Sequence, residues 1–513
     1  MNGFLPALVL AASPAAGPVV VDLPEPPSAA EAWVAEAIAD ELPRALRELG
    51  VPALESYDRQ RIQERLGLPE ARLSRATAIR TAEAVGAFRL VTSEVAREGD
   101  AVVLKVRLLD VPRGVLAAPL VARGPLSSLQ SLLANVAFDV ALAGSTPPAR
   151  SREVLTTLRG EVPFEAWQTH AQALAATDVA TRNRLLRRAV GHHPPYEEAW
   201  LDLARLQLDE REHAAALEAL GRIGRGGRTG RAARFAEGIA LLGLGRYAEA
   251  AALYAEIRRA TPTPAALSNQ AAALLRLGRA EAPASGPLRE GLEREPASLD
   301  LPVNLGFALL HEGDPRAAAL FLRAAVRRDP GDAAARLLLT WALSGSGREV
   351  EAGEEWGALS AQTDAFASLR GPDLQRRFER ILPSEGALVV DPEARRAGEL
   401  VASRLLRGEK LLEEGNAAGA SVELQEAVAL APFGAGAHAL LARALRARGE
   451  VARAEEELRA SLHCREEPAV RMELADLLLA QGRGREARTE ASRVLRSDPA
   501  HMGALKMLAD RPL

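Results

Sequence analysis

The chain has 513 residues, of which 26% are charged, and a net charge of −4. That length allows several domains, and that balance excludes a global electrostatic attraction to nucleic acid or to acidic membranes. The single cysteine, Cys464, excludes an intrachain disulfide and a cysteine-based zinc cluster. Aromatic residues are only 4% and alanine is abundant, which suits closely packed helices. Lysine occurs only at 105, 410 and 506 and arginine supplies the other cations, a bias that codon usage explains without function.

Residues 1–17 contain a short apolar run, Phe4 to Ala12, followed by Ser13, Pro14, Ala15, Ala16 and Gly17. The run has the form of a secretory signal's apolar core and cleavage zone, without a basic residue ahead of it. A first strand or a misplaced start codon is the alternative. The run is too short to span a bilayer, and no later uninterrupted apolar stretch reaches spanning length, so no transmembrane segment is expected.

Residues 18–143 read as an α+β domain. Val19 to Leu23 is a strand. Ser28, with Glu31 three residues on, forms a capping-box pattern before a helix that runs to Leu49, in which Pro43 predicts a kink or break. Val51 to Tyr57 reads as a second strand. Asp58 then caps a short helix, and a third helix covers Leu73 to Val85. Three strands follow, 88–96, 101–111 and 115–123, with turns at Gly99-Asp100 and at Pro112-Arg113-Gly114. A helix over 126–142 closes the order β-α-β-α-α-β-β-β-α. Residues 144–160 read as a linker, from the composition of GSTPPARSR at 144–152.

From 161 the period becomes helical. The clearest stretch is Leu299 to Pro330. Leu305 and Leu309 share one helical face, Leu322, Ala325 and Val326 share another, and the small Gly306 and Ala318 let two helices approach closely. Pro330 stops the second helix. A single hairpin of this kind cannot bury its apolar face alone, so neighbours are required. About nine such units can be counted, over 161–363 and again over 395–513, where Met502 to Ala509 forms a capping helix. Between them, 364–394 reads as an irregular insertion, with an apolar-periodic piece at Leu374 to Ile381, or as a boundary between two arrays.

The spacing of Leu305, Gly306, Leu309, Gly313, Ala318, Leu322, Ala325 and Pro330 resembles the tetratricopeptide repeat (TPR), a helix–turn–helix of about 34 residues. The resemblance implies a solenoid whose first helices line a concave face. In that register the groove-facing positions are Phe235, Asn269, Arg276, Phe307, Trp341, Arg443 and Arg446. Phe307 and Trp341 are equivalent, one repeat apart. Aromatic and arginine side chains are the usual anchors of binding surfaces. TPR clamps for a peptide's terminal carboxylate use lysines with asparagines; here Asn304 stands alone, so that clamp is not expected. A second resemblance joins 49–67 (LGVPALESYDRQRIQERLG) and 82–116 (AEAVGAFRLVTSEVAREGDAVVLKVRLLDVPRGVL) to the amino-terminal domain of TolB-like and CsgG/FlgO-like bacterial envelope proteins. It implies a small α/β module and an envelope location. The departure is Leu23-Pro24-Glu25-Pro26, where those families carry an apolar-Pro-Phe entry.

Chemistry is sparse. There is no HExxH, P-loop or GxSxG motif, so no enzyme, cofactor or metal is expected. His192-His193 has no carboxylate cluster fixed beside it. The glycine-rich Gly224 to Arg231 lacks the strand a phosphate cradle requires. An active site in the first domain would need a polar pocket built from Asp58, Arg61, Glu94 and Asp110. The sequence therefore predicts a mainly α chain, an α+β domain followed by an α-solenoid. Its expected role is an exported, non-enzymatic scaffold presenting a groove to a protein or peptide, as part of a peripheral envelope complex. The alternative is a cytoplasmic adaptor whose first domain senses a ligand. A reporter joined after Gly17 separates the two by compartment.

Overall fold

The computed structural model describes residues 18–67, 75–144, 148–278, 283–366, 376–386, 388–391 and 397–509. The expected signal segment, the start of the helix expected at Leu73 and the first residues of the piece beginning at Leu374 lie outside them. The described chain divides into two units, 18–266 with 382–391, and 267–381 with 397–509.

The first unit opens with strand β1 (Val19–Val21) and helix α1 (Ala32–Glu48), followed by α2 (Ser56–Arg65) and α3 (Arg75–Ala84). Strands β2 (Arg89–Glu98), β3 (Ala101–Asp110), β4 (Val115–Leu116) and β5 (Leu120–Pro125) come next, and α4 (Leu129–Ala143) closes the α+β part. β1 pairs parallel to β2, β2 pairs antiparallel to β3, and β4 and β5 both pair antiparallel to β3. The expected third strand of the meander is interrupted at Pro119, which has no N–H to give to the ladder. Alternation sets the faces: Val102, Leu104 and Val106 are fully buried against α1 and α4, while Lys105 is exposed.

Three local expectations are corrected. The strand expected at 51–57 is a single bridge, Val19 to Ala53, because helix α2 begins at Ser56. Asp58 is therefore buried within α2 and is not its cap. Ser28 bonds the Glu31 side chain (3.3 Å) instead of capping a backbone N–H, and a 3-10 turn, Ala29–Glu31, precedes α1.

Pro43 does not break α1. A proline removes the bond to the carbonyl four residues back, here that of Ala39. The Ser56 hydroxyl donates to that oxygen at 3.0 Å, so the freed acceptor stays satisfied inside the protein.

The segment Leu126–Ala143 is long and apolar enough to cross a membrane by length and composition, and 44% of it is buried inside the protein. Leu129, Leu133, Ala134, Ala137 and Val140 belong to the same core as α1. Helix α5 (Arg152–Gly160) forms where a linker was expected; Leu155 is buried in that core and Arg152 pairs with Asp139 at 2.5 Å.

Helical hairpins follow. In the first unit they are α6 (Phe164–Ala175) with α7 (Val179–His192), α8 (Glu197–Asp209) with α9 (His213–Leu220), and α10 (Gly227–Gly243) with α11 (Tyr247–Ala260). Helix α12 (Pro264–Leu277) spans the division between the units. The second unit continues with α13 (Ser285–Arg294), α14 (Leu301–His311), α15 (Pro315–Arg328), α16 (Ala333–Gly345) and α17 (Glu349–Gln362). It ends with α18 (Gly398–Glu413), α19 (Ala417–Leu430), α20 (Ala435–Ala447), α21 (Val451–Cys464), α22 (Pro468–Ala480), α23 (Gly484–Ser497) and α24 (Met502–Ala509).

Several hairpins share a packing rule. A Cβ at Gly306 would overlap the Leu322 side chain, and one at Gly408 would overlap Leu424, the same 16-residue offset. From the second hairpin on, the intra-hairpin turn carries a left-handed residue, Arg211 (φ 61°) in the second and glycine later, as at 313 (φ 78°) and 415 (φ 79°).

Candidate functional site

Helices α12, α14 and α16 are the first helices of three successive hairpins, and they line a groove in the second unit. The groove holds the chain's own residues 376–381, which are neither helix nor strand. The apolar-periodic piece there thus does not continue as a helix, because its polar backbone and its side chains are taken up by the groove.

Asn304, on the first turn of α14, makes the central contact. Its Oδ1 accepts from the Arg380 backbone N–H at 2.7 Å, and its Nδ2 donates to the Arg380 carbonyl at 2.9 Å. Nδ2 also donates to the Ser268 hydroxyl on α12 at 2.8 Å, which fixes the amide plane. One side chain can satisfy both groups of a single residue only where its N–H and C=O point the same way, as in an extended conformation.

Three successive side chains of the segment have their own partners. Phe378 stands edge-on to Phe307 (5.7 Å between ring centroids) and to Trp341 (5.5 Å). The Glu379 carboxylate, 1% exposed, accepts from Arg276 Nε at 2.6 Å. The Arg380 guanidinium donates to the Leu299 carbonyl at 3.3 Å and pairs with Asp300 at 3.4 Å and with Asp332. Burial alone would lower the Arg380 pKa, but Asp300 and Asp332 outweigh it and hold the group above its ordinary value. Asp332 also caps α16, its Oδ1 accepting from Ala335 N–H at 3.0 Å, so the residue that starts the helix is held in place to receive the arginine.

The groove candidates divide by place. Arg276, Phe307 and Trp341 converge on residues 378–379, and Asn269 is wholly buried on α12. Phe307 and Trp341 are 2% and 6% exposed, so they floor the groove and also belong to the core. Phe235 is buried on α10, its ring 5.4 Å from Tyr254 of α11, whose ring enters over Gly238. Arg443 bonds Glu473 at 2.6 Å across neighbouring first helices, and Arg446 is exposed on α20. Asn304, set aside for want of lysine partners, is the residue sequence reasoning missed. A buried asparagine on the first turn of a concave helix was the available signal.

The first unit has a second polar cluster, formed where α1 and α2 meet α6 and α8. Arg205 pairs with Glu55 (2.9 Å) and Asp202 (3.1 Å) and lies over the Tyr57 ring at 4.4 Å. Asp202 also accepts from Arg44 (3.2 Å) and bonds His170 (2.9 Å), whose other nitrogen bonds the Tyr196 hydroxyl (2.9 Å). A polar cavity beside it is lined by Tyr57, Arg61, Asp202, Arg205 and Asp209; Glu94 and Asp110 are not among its lining residues. The network crosses the expected boundary at 143/144, so the α+β part and the first hairpins form one unit. Among the described residues no group of three or more His, Cys, Asp or Glu could hold a metal, and His192 lies beside Arg188 and Glu165.

Within this cluster burial raises the Asp58 carboxyl to about 6; Glu55 adds to the shift, while Arg205 and the donating Ser384 hydroxyl oppose it. Burial would raise Glu55 too, but Arg205 and Arg47 bring it down to about 2. The two act oppositely on stability. The Asp58 contribution is complete below about pH 4 and is lost as pH rises through its folded value, whereas that of Glu55 is present above about pH 4 and is lost in acid. Asp58→Asn is therefore expected to flatten the stability profile between about pH 4 and 6 and to raise stability near neutrality by on the order of 2 kcal/mol. Urea unfolding of both proteins across that range checks it.

Residues 309–370 match a family model described as tetratricopeptide repeat, and 235–298 and 472–510 match another with the same description. No curated protein matches the chain. Among solved structures, it is similar to a tetratricopeptide repeat protein from Parabacteroides merdae at 12% identity, covering 55% of this chain and 98% of that one, TM-score 0.34. It is similar to YrrB, described as a TPR protein with an unusual peptide-binding site, at 17% identity over 36% of this chain and 94% of that one, TM-score 0.30. A third is the TPR2AB domain of yeast Sti1 in its pHSP90 complex, at 15% identity over 53% of this chain and 94% of that one, TM-score 0.21.

Proposed function

We propose that this chain of tetratricopeptide repeats is a protein-interaction scaffold whose operative surface is the groove lined by α12, α14 and α16, and whose ligand is an extended segment of a protein. Such repeats generally mediate protein–protein interactions. The observation that carries the reading is the pair of hydrogen bonds between the Asn304 side-chain amide and the backbone N–H and C=O of Arg380. It recognises an extended main chain whatever the side chain, while the pockets on either side select side chains. Of the candidate positions, Arg276, Phe307 and Trp341 are the groove's contacts.

The finer reading is an exported protein whose α+β part docks onto an envelope component. It is supported by the apolar run Phe4 to Ala12, which lies outside the described residues, and by the resemblance over 49–116. The reading assigns the chain no chemistry of its own, and the mutual pairing of the charges around Arg205 supports that.

Selection of peptides from a displayed library on the full chain tests the groove. Selected peptides are expected to lose binding to Asn304→Ala by about tenfold or more, the loss of two charge-neutral hydrogen bonds. Peptides that bind the variant as well as the native chain would place the binding surface elsewhere.

A further inference from the structure

The occupied groove says more than that extended segments bind. Resting on the reading above, we infer that residues 376–381 are a resident ligand, and that the external partner is a protein segment carrying the same order of groups, an aromatic ring, a carboxylate and a guanidinium, which must displace it. Three observations point this way. Successive side chains of the segment go to three chemically different pockets: an aromatic one at Phe307 and Trp341, a cationic one at Arg276, and an anionic one at Asp300 and Asp332. The backbone between them is held by a side chain, Asn304, and not by a sheet or a helix. The segment also leaves part of its chemistry open. Glu379 Oε2 is buried without a hydrogen-bond partner and Phe378 is only partly buried.

A segment placed only to complete the core needs none of this. Leucines would fill the space without desolvating a carboxylate and a guanidinium, which costs several kcal/mol per ion unless each is paired. The pairing of each charge with an opposite one, in a groove built from three consecutive first helices, is the arrangement of a recognition site. The resident segment lowers the groove's apparent affinity for any external one by the fraction of time it is seated. The groove is thus regulated by its own chain, and a partner with better chemistry, or a higher local concentration, opens it.

The test is a titration of a fluorescent peptide of residues 376–381 into three full-length proteins. They are the native chain, a variant with Phe378→Ala, Glu379→Ala and Arg380→Ala, and that variant carrying Asn304→Ala as well. The native chain is expected to bind at least about tenfold more weakly than the triple variant. Asn304→Ala is expected to abolish the binding gained, and a scrambled peptide of the same composition to bind neither. If the triple variant does not fold, judged by its helical circular dichroism, Arg380→Ala alone replaces it, with a smaller gain in the same direction.

Equal binding by native and disarmed proteins, or equal binding of the scrambled peptide, overturns the inference. So does a native chain that is a dimer and becomes monomeric on disarming, since the occupant would then be a second copy. The two readings fail differently. Library peptides that require Asn304 but lack the aromatic, acidic, basic order remove this inference and leave the groove standing. Library peptides indifferent to Asn304 remove both.

Discussion

Arg205→Met is expected to lower the free energy of unfolding by about 3–5 kcal/mol, because it removes one side of a buried ion network and leaves the other side in place. Arg205 is 6% exposed and pairs at once with Glu55 and Asp202. Methionine fills much of the volume and can still touch the Tyr57 ring, so lost packing is minor. What is lost is the compensation of two carboxylates. Asp202 retains Arg44 and His170, and Glu55 retains Arg47, which places the loss at the low end of that range. The loss should appear in urea unfolding as a lower midpoint with an unchanged slope. A change below about 1 kcal/mol would mean that the network is screened like a surface pair.

Phe307→Ala is expected to cost about 3–5 kcal/mol, and Trp341→Ala a similar amount, since both remove a buried ring from a packed core. Phe307 is 2% exposed and stands 4.6 Å from the His311 ring as well as against Phe378. Either substitution will weaken binding to the groove, and neither will show why, because the floor and the core are the same residues. Asn304→Ala separates the two effects. It removes three hydrogen bonds without opening a large cavity, at about 1–3 kcal/mol, and it strikes the backbone contact directly. Thermal unfolding of the three variants should rank Asn304→Ala as the mildest.

The repeat register was legible because it rests on local chemistry. Gly306 and Leu322 meet at the offset that the pattern requires, and left-handed glycines mark the turns of the later hairpins, as at 245, 313 and 415. Phe307 and Trp341 were legible for the same reason, since equivalent positions on successive helices must be neighbours. What they meet was not. The apolar period read over Leu374 to Ile381 pointed to a helix, whereas 376–381 are neither helix nor strand and are held by Asn304, more than seventy positions away. Pro43 shows the same limit from the other side. Its effect on α1 was read from the lost hydrogen bond, while the outcome was decided by Ser56, a tertiary partner that replaces it. Phe235 was placed by counting, and the ring of Tyr254 that packs against it enters over Gly238. The network around Arg205 was illegible, because its members lie on four helices and each alone reads as a solvated charge.

Among the contacts between the groove and its resident segment, the hydrogen bond from the Arg380 amide to Asn304 Oδ1, at 2.7 Å, reports on seating directly. Hydrogen exchange at that amide, with and without a saturating peptide of residues 376–381, is the direct measurement. A seated but displaceable segment predicts slow exchange in the native chain, fast exchange in Asn304→Ala, and fast exchange in the native chain once the peptide is added. Fast exchange in the native chain alone would contradict the occupied groove, and slow exchange unaffected by saturating peptide would contradict its displacement.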